Sequence, residues 1–344
     1  MSAGPQTLAD VSEGTLLARI FPFFPAGPAV AVGPGDDAAV LATGAATVAT
    51  TDSMVRTRDW LDAWSTAGDV AAKLLTQNLA DVAAMGAEPT AVLVSLMADP
   101  QTPAAWAVEF ARALGEQATA AGVLVAGGDL SSAPDGVLMV SLTALGDLGG
   151  REPVLRSGAR AGDAVAVCGT LGRSAAGLAL LEAGTDPALA DADLADADPA
   201  EPGAVVDGAS RARDACLRHH LRPTAPLAAG PQAARAGASA MIDLSDGLLR
   251  DGSRIAAASG VRLALESALL GEDLELLARA VGDLALECVL AGGEEHSLLA
   301  TFPGAVPEGW RRIGHVVAGA GVTLDGEPQT ARGWDHFGGA GTVA

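Results

Sequence analysis

The sequence predicts an α/β (α+β) protein of two domains, and three observations carry that prediction. Short apolar runs of strand length alternate with amphipathic stretches of helix length along the chain. A Gly- and Arg-rich break near 148–162 divides the alternation into halves, giving expected domains 1–150 and 151–344. The 344 residues give each half enough chain for its own core.

Four runs read as buried strands: AVAVGPGDD (29–37), ATVATTD (46–52), GVLVAGGD (122–129) and ASAMIDLSD (238–246). Each is expected to leave carboxylates just past its end. A first helix is expected over 67–86, where Val70, Leu74, Leu75, Leu79 and Val82 recur at helical spacing and Gly86 supplies a stop. A second is expected over 103–121, opened by Pro103 and closed by Gly122. Beyond the break, DAVAVCG (163–169) reads as a strand, and GTLGRSAAGLALLEAG (169–184) as a loop feeding a helix. Repeated Ala-Asp pairs at about 183–208 read as a solvated acidic loop.

Composition narrows the function. A formal net charge of −21 argues against a nucleic-acid partner, which needs a basic face, and against an anionic membrane surface. Aromatic residues are 3% of the chain, so the cores are built from Ala, Val, Leu and Ile. Cys168, Cys216 and Cys288 are widely spaced and make no zinc pattern, so they read as reduced, buried thiols. The N-terminus shows no basic and apolar signal pattern, and no uncharged apolar run reaches membrane-span length. The expected location is cytoplasmic. His219-His220 reads as a surface helix end.

The informative residues are Asp36, Asp37, Asp52, Asp81, Asp129, Asp243 and Asp246. One Asp after a strand is most often a turn former or helix cap. Recurrence at four strand ends, with almost no Lys or Arg nearby, changes the balance. If those ends converge, repulsion requires cations among them. Hard oxygen donors select Mg²⁺, and Mg²⁺ shares its coordination with phosphate oxygens. A nucleotide–magnesium site follows as the expectation. Gly33-Pro34-Gly35-Asp36-Asp37-Ala38 formally fits the dinucleotide fingerprint, but two Asp residues would face the pyrophosphate and repel it. Lys73, the only lysine, lies outside any Gly-Lys-Ser/Thr pattern, which excludes a P-loop and a protein-kinase site.

At these residues the chain resembles the thiamine-monophosphate kinase family, within the superfamily of aminoimidazole ribonucleotide and selenophosphate synthetases. The matching segments are GPGDDAAVL (33–41), TTDSMV (50–55), KLLTQNLADVAAMGAEP (73–89), AGGDLS (126–131), LRSGARAGD (155–163), GTLGRSAAGL (169–178), HLRPTAPL (220–227), IDLSDGL (242–248), LAGGEE (290–295) and GWDHF (333–337). The resemblance implies an N-terminal domain that dimerises through a shared β-barrel and a C-terminal α/β domain covering the nucleotide. It implies ATP and thiamine monophosphate as substrates, Mg²⁺ as cofactor, and a homodimer. It implies magnesium positions at Asp36, Thr50, Thr51, Asp52, Asp81, Asp129, Asp243 and Asp246, with Asp129 and Asp243 catalytic. Gly128, Asp129, Arg156 and Ser245 fall at ATP positions, and Glu294 and Trp334 at thiamine-phosphate positions.

Two departures touch the acceptor. Where the family has V-x-G-x-H-F, this chain reads Val55-Arg56-Thr57-Arg58-Asp59-Trp60, so Asp59 takes the substrate-side His position. GGEDYEL becomes Gly292-Gly293-Glu294-Glu295-His296-Ser297-Leu298. Two other readings stay open: a superfamily synthetase with a different acceptor, and a nucleotide-binding relative without catalysis.

Overall fold

A computed structural model describes residues 6–24, 27, 30–32, 40–41, 43–44, 46–191 and 208–334. The described residues form two compact units, the first over those up to 83 and 87–152, the second over 84–86 and those from 153 to 334. Asp36 and Asp37, and the acidic stretch from 192 to 207, lie outside the described residues.

The first unit contains α1 (Glu13–Ile20), the short strands β1 (Val30–Val32) and β2 (Val40–Leu41), β3 (Thr47–Val55), α2 (Ala67–Ala84), β4 (Glu88–Ala98), α3 (Ala104–Ala120), β5 (Leu124–Ser132) and β6 (Leu138–Asp147). Its main sheet runs β3-β6-β4-β5; β4 and β5 are parallel and the other pairings antiparallel. Parallel β4 and β5 need a crossover, and α3 supplies it. Helix α2 starts on a reciprocal cap: the Thr66 N–H donates to the Asp69 carboxylate (2.8 Å), and the Asp69 N–H donates to the Thr66 hydroxyl (3.2 Å). Val70, Leu74, Leu75, Leu79 and Val82 are its buried stripe, and Gly86 takes φ +76° just past its end.

The second unit contains β7 (Ala164–Cys168), α4 (Arg173–Glu182), α5 (Gly208–Leu221), α6 (Ala229–Arg235), β8 (Ala240–Asp243), α7 (Leu248–Ser259), β9 (Arg262–Leu265), α8 (Gly271–Val281), α9 (Ala285–Ala291), β10 (Leu298–Phe302), β11 (Arg311–Val317), β12 (Gly321–Leu324) and β13 (Glu327–Gln329). Its seven-stranded sheet runs β13-β12-β9-β11-β7-β10-β8. The inner strands β7 and β10 and the edge strand β8 bury nearly every residue, which is why their sequences are largely apolar runs. Among the described residues no helix is long and apolar enough to cross a membrane.

Candidate active site

The first unit divides its candidate residues between two faces of one sheet. Thr50 and Asp52 alternate with Thr51 along β3, so they point to opposite sides. On the inner side the Thr50 hydroxyl donates to the Asp81 carboxylate of α2 (2.8 Å), and the Asp52 N–H donates to the Asn78 side-chain oxygen (3.1 Å). On the outer side the Thr51 hydroxyl donates to the Leu142 carbonyl (3.0 Å) and lies 3.2 Å from the Thr143 hydroxyl. Register places Asp129 in the row Ser53–Ser141–Ser95–Asp129, also on the outer side. There Asp129 is exposed and accepts from the Ser131 hydroxyl at 2.7 Å.

The expected strand ends therefore need correction. Asp52 and Asp129 sit inside β3 and β5 rather than past them, because both strands continue through polar residues. Pleating then places Asp52 and Asp129 on opposite faces of the sheet. Among the described residues no three acidic, His or Cys side chains group as a metal cage. Gly128 has a packing reason to be glycine: a Cβ there would sit 2.1 Å from the Val94 carbonyl oxygen of β4.

Asp59 turns back on its own loop. Its carboxylate accepts from the Val55 N–H at 2.6 Å. Thr57, at the family's glycine position, has φ +70°. A β-branched residue in that region costs about 1–3 kcal/mol.

The second unit gathers its candidates on the turn after β8. Asp243 is the last residue of β8 and is buried; Leu244, Ser245 and Asp246 follow before α7. Two other segments are stitched to this turn by backbone hydrogen bonds. From the loop after α9, the Glu294 N–H donates to the Ser245 carbonyl (2.7 Å) and the His296 N–H to the Leu244 carbonyl (2.8 Å). From the far end of the described chain, the Trp334 N–H donates to the Asp246 carbonyl (3.1 Å). Glu294 and His296 adopt φ +56° and +53°, a strained course for non-glycine residues that lets the loop follow the turn. Arg156 is exposed on a loop tied to the same unit: the Ser259 hydroxyl donates to its carbonyl at 3.2 Å, and the Met241 N–H donates to the Leu155 carbonyl at 3.0 Å.

Residues that sequence reading passed over hold this turn in place. Fully buried Asp251 accepts from the Asp246 and Gly247 N–H groups, at 2.9 and 3.0 Å. Arg254 bridges Asp251 and Asp246, and Arg250 lies 3.7 Å from Asp246. Burial, and then the neighbouring Asp243 charge, push the Asp251 carboxyl up to about 7. The expectation that arginines are scarce here fails for Asp246, since one and two turns of α7 return Arg250 and Arg254 to it.

His219 and His220 are buried, not a surface helix end. Helix α5 packs on α4 and α8, which turns both imidazoles inward. His219 lies 3.3 Å from the Glu295 carboxylate; His220 lies 3.1 Å from the Ser174 hydroxyl and 3.7 Å from the Glu294 carboxylate. Glu295 in turn accepts from the Ser174 N–H (3.0 Å) and the Thr170 hydroxyl, occupying the α4 N-terminus itself. Burial holds His219 below its ordinary value. Burial also pushes the thiols up, Cys216 to about 12 and Cys288 to about 11, which makes neither a nucleophile.

The fold and these elements define a class first: residues 35–148 match the family described as AIR synthase related protein, N-terminal domain. Over its length the chain is 44% identical to a thiamine-monophosphate kinase of Mycobacterium tuberculosis, covering 96% of this chain and 93% of that protein. It is 36% identical to the thiamine-monophosphate kinase of Corynebacterium glutamicum, covering 88% of each. A solved structure of AaThiL complexed with AMPPCP and TMP matches with a TM-score of 0.71 and 30% identity, over 85% of this chain and 87% of that one. The chain belongs to the thiamine-monophosphate kinase family.

Proposed function

We propose that this chain transfers the γ-phosphate of ATP to thiamine monophosphate, giving thiamine diphosphate and ADP. The observation that carries the reading is the meeting of Glu294 and Trp334 on the Ser245–Asp246 turn, three segments far apart in sequence and joined backbone to backbone. An indole and a carboxylate carried on one turn suit a cationic heteroaromatic ring such as the thiazolium of thiamine. Family membership supplies the phosphorylated acceptor and the nucleotide.

A phosphate monoester is largely dianionic near pH 7, its second pKa being about 6. Its oxygen attacks phosphorus without a general base. The chain's task is to position two anions in line and neutralise them. Trp334 stacks on the acceptor ring and Glu294 meets its positive charge. In the second unit Ser245 and exposed Arg156 are the candidates for nucleotide phosphate oxygens; in the first unit Gly128 and Asp129 are the nucleotide candidates.

The donor set fits magnesium. Mg²⁺ takes one or two carboxylates together with substrate phosphates and water, and needs no all-protein cage. Asp52, Asp81 and Thr50 would serve on the inner side of the first sheet, Asp129 and Thr51 on the outer side, and Asp243 in the second unit, with Asp36 assigned by resemblance. Asp246, already neutralised by two arginines, is the weakest of these ligands. When bound, the metal supplies charge neutralisation and alignment of phosphate oxygens.

We further infer a cytoplasmic homodimer, paired through the outer face of the first sheet. Partly exposed Val55, Leu93, Met97 and Met139 line that face, an apolar patch that a second copy covers. Incubation with ATP, Mg²⁺ and thiamine monophosphate, followed by chromatography, tests the activity. Thiamine diphosphate equal to the ADP formed supports it; nucleotide binding without thiamine diphosphate refutes it.

A further inference from the structure

Arg332, Gly333 and Trp334 form a strap across the Ser245–Asp246 turn, and one ion pair fixes where it lies. The Arg332 guanidinium donates to both carboxylate oxygens of Glu287, at 3.0 and 2.7 Å. Glu287 belongs to α9, whose C-terminus runs through Gly292 and Gly293 directly into Glu294. The pair therefore ties the strap carrying Trp334 to the helix that delivers Glu294. Between them Gly333 touches the turn with no space left over: at φ +151°, a Cβ there would lie 2.0 Å from the Asp246 carbonyl oxygen. The next residue makes the Trp334 N–H to Asp246 carbonyl hydrogen bond.

Burial says what kind of contact this is. The two charged side chains are 45% and 53% exposed, so their attraction adds little to folding. One guanidinium nitrogen centred on both oxygens of a carboxylate, at 3.0 and 2.7 Å, nonetheless holds the strap at a set distance from α9. Indole stacking on a planar ring falls off with small displacements of the ring. A weak contact can thus matter for the acceptor while mattering little for stability.

We propose that Arg332 and Glu287 are positioning residues for the acceptor: their ion pair, with the close approach of Gly333, sets Trp334 at its working distance from Glu294. This deepens the reading above and rests on it. The substrate class it selects is a phosphorylated, cationic, planar heteroaromatic alcohol.

The test is steady-state kinetics on Arg332→Gln, Glu287→Gln and the charge-swapped double variant Glu287→Arg/Arg332→Glu, alongside the unaltered protein. Each single substitution is expected to raise KM for thiamine monophosphate about threefold to fivefold, the range of an exposed ion pair. The expected kcat and KM for ATP stay within about 1.5-fold of the unaltered protein, and the swapped pair restores the acceptor KM. A merely structural contact would lower kcat through loss of folded protein and leave both KM values alone. Unaltered protein that turns over with variants of unchanged acceptor KM, or with the KM for ATP rising equally, overturns the clasp and leaves the kinase reading standing. Failure of the unaltered protein to form thiamine diphosphate overturns both.

Discussion

The two units hold their acidic residues in different ways. In the first, Asp52 and Asp129 lie within long strands, and pleating sends them to opposite faces of one sheet. In the second, Asp243 ends a four-residue strand and Asp246 follows it, on a turn fastened from two sides by backbone hydrogen bonds. An in-strand carboxylate is placed by the register of its neighbours. One on a turn is placed by whatever buttresses the turn. Each arrangement fails differently when disturbed.

The largest expected effect removes charge without changing shape. Asp243→Asn and Asp129→Asn should each lower kcat by about 100-fold or more, the range seen when a preorganised charge-stabilising group is lost. Near-normal turnover of both at saturating Mg²⁺ in a coupled ADP assay would remove these residues from the mechanism. Buttressing is tested next. Asp251→Ala leaves the Asp246 and Gly247 N–H groups without their acceptor, and should destabilise the second unit by about 2–3 kcal/mol in urea unfolding. The first unit should unfold unchanged, and a loss shared by both units would contradict a local role.

The smallest effect is one of pH. Burial keeps His219 neutral in the folded chain, below its ordinary 6.5. The unfolded chain binds that proton first, so the stability contributed is present above about 6.5 and lost as pH falls further. His219→Gln should flatten this decline in the unfolding midpoint of the second unit between pH 7 and pH 5.5. An equally steep decline in the variant would assign the effect elsewhere.

Much of this was legible in the sequence. The stripe from Val70 to Val82 and the stop at Gly86 gave α2 its buried face and end, because helix period and glycine conformation are local properties. The buried strand around Met241 and Ile242 and the acidic turn after it were legible for the same reason. The faces of Thr51 and Asp129 were not, since cross-strand register is a long-range property. The buttress of Asp251 and Arg254 was hidden in an ordinary-looking helix. The inward turn of His219 and His220 was hidden too: RHHL is polar, and partners distant in sequence, Ser174 and Glu294–Glu295, make burial tolerable. Asp59 was assigned from the family position alone, and the hydrogen bond from the Val55 N–H to its carboxylate was not legible in the sequence.

The central proposal is a division of labour: the carboxylates on the sheet of the first unit, with Asp243, serve the metal, and Glu294 and Trp334 on the buttressed turn of the second serve the acceptor. Asp81→Asn and Trp334→Ala, titrated side by side with Mg²⁺ and with thiamine monophosphate, test it most directly. The account predicts a crossed pattern: Asp81→Asn shifts the Mg²⁺ activation midpoint upward with little change in acceptor KM, and Trp334→Ala raises acceptor KM about tenfold with the Mg²⁺ midpoint unmoved. Both variants moving the same parameter would contradict it.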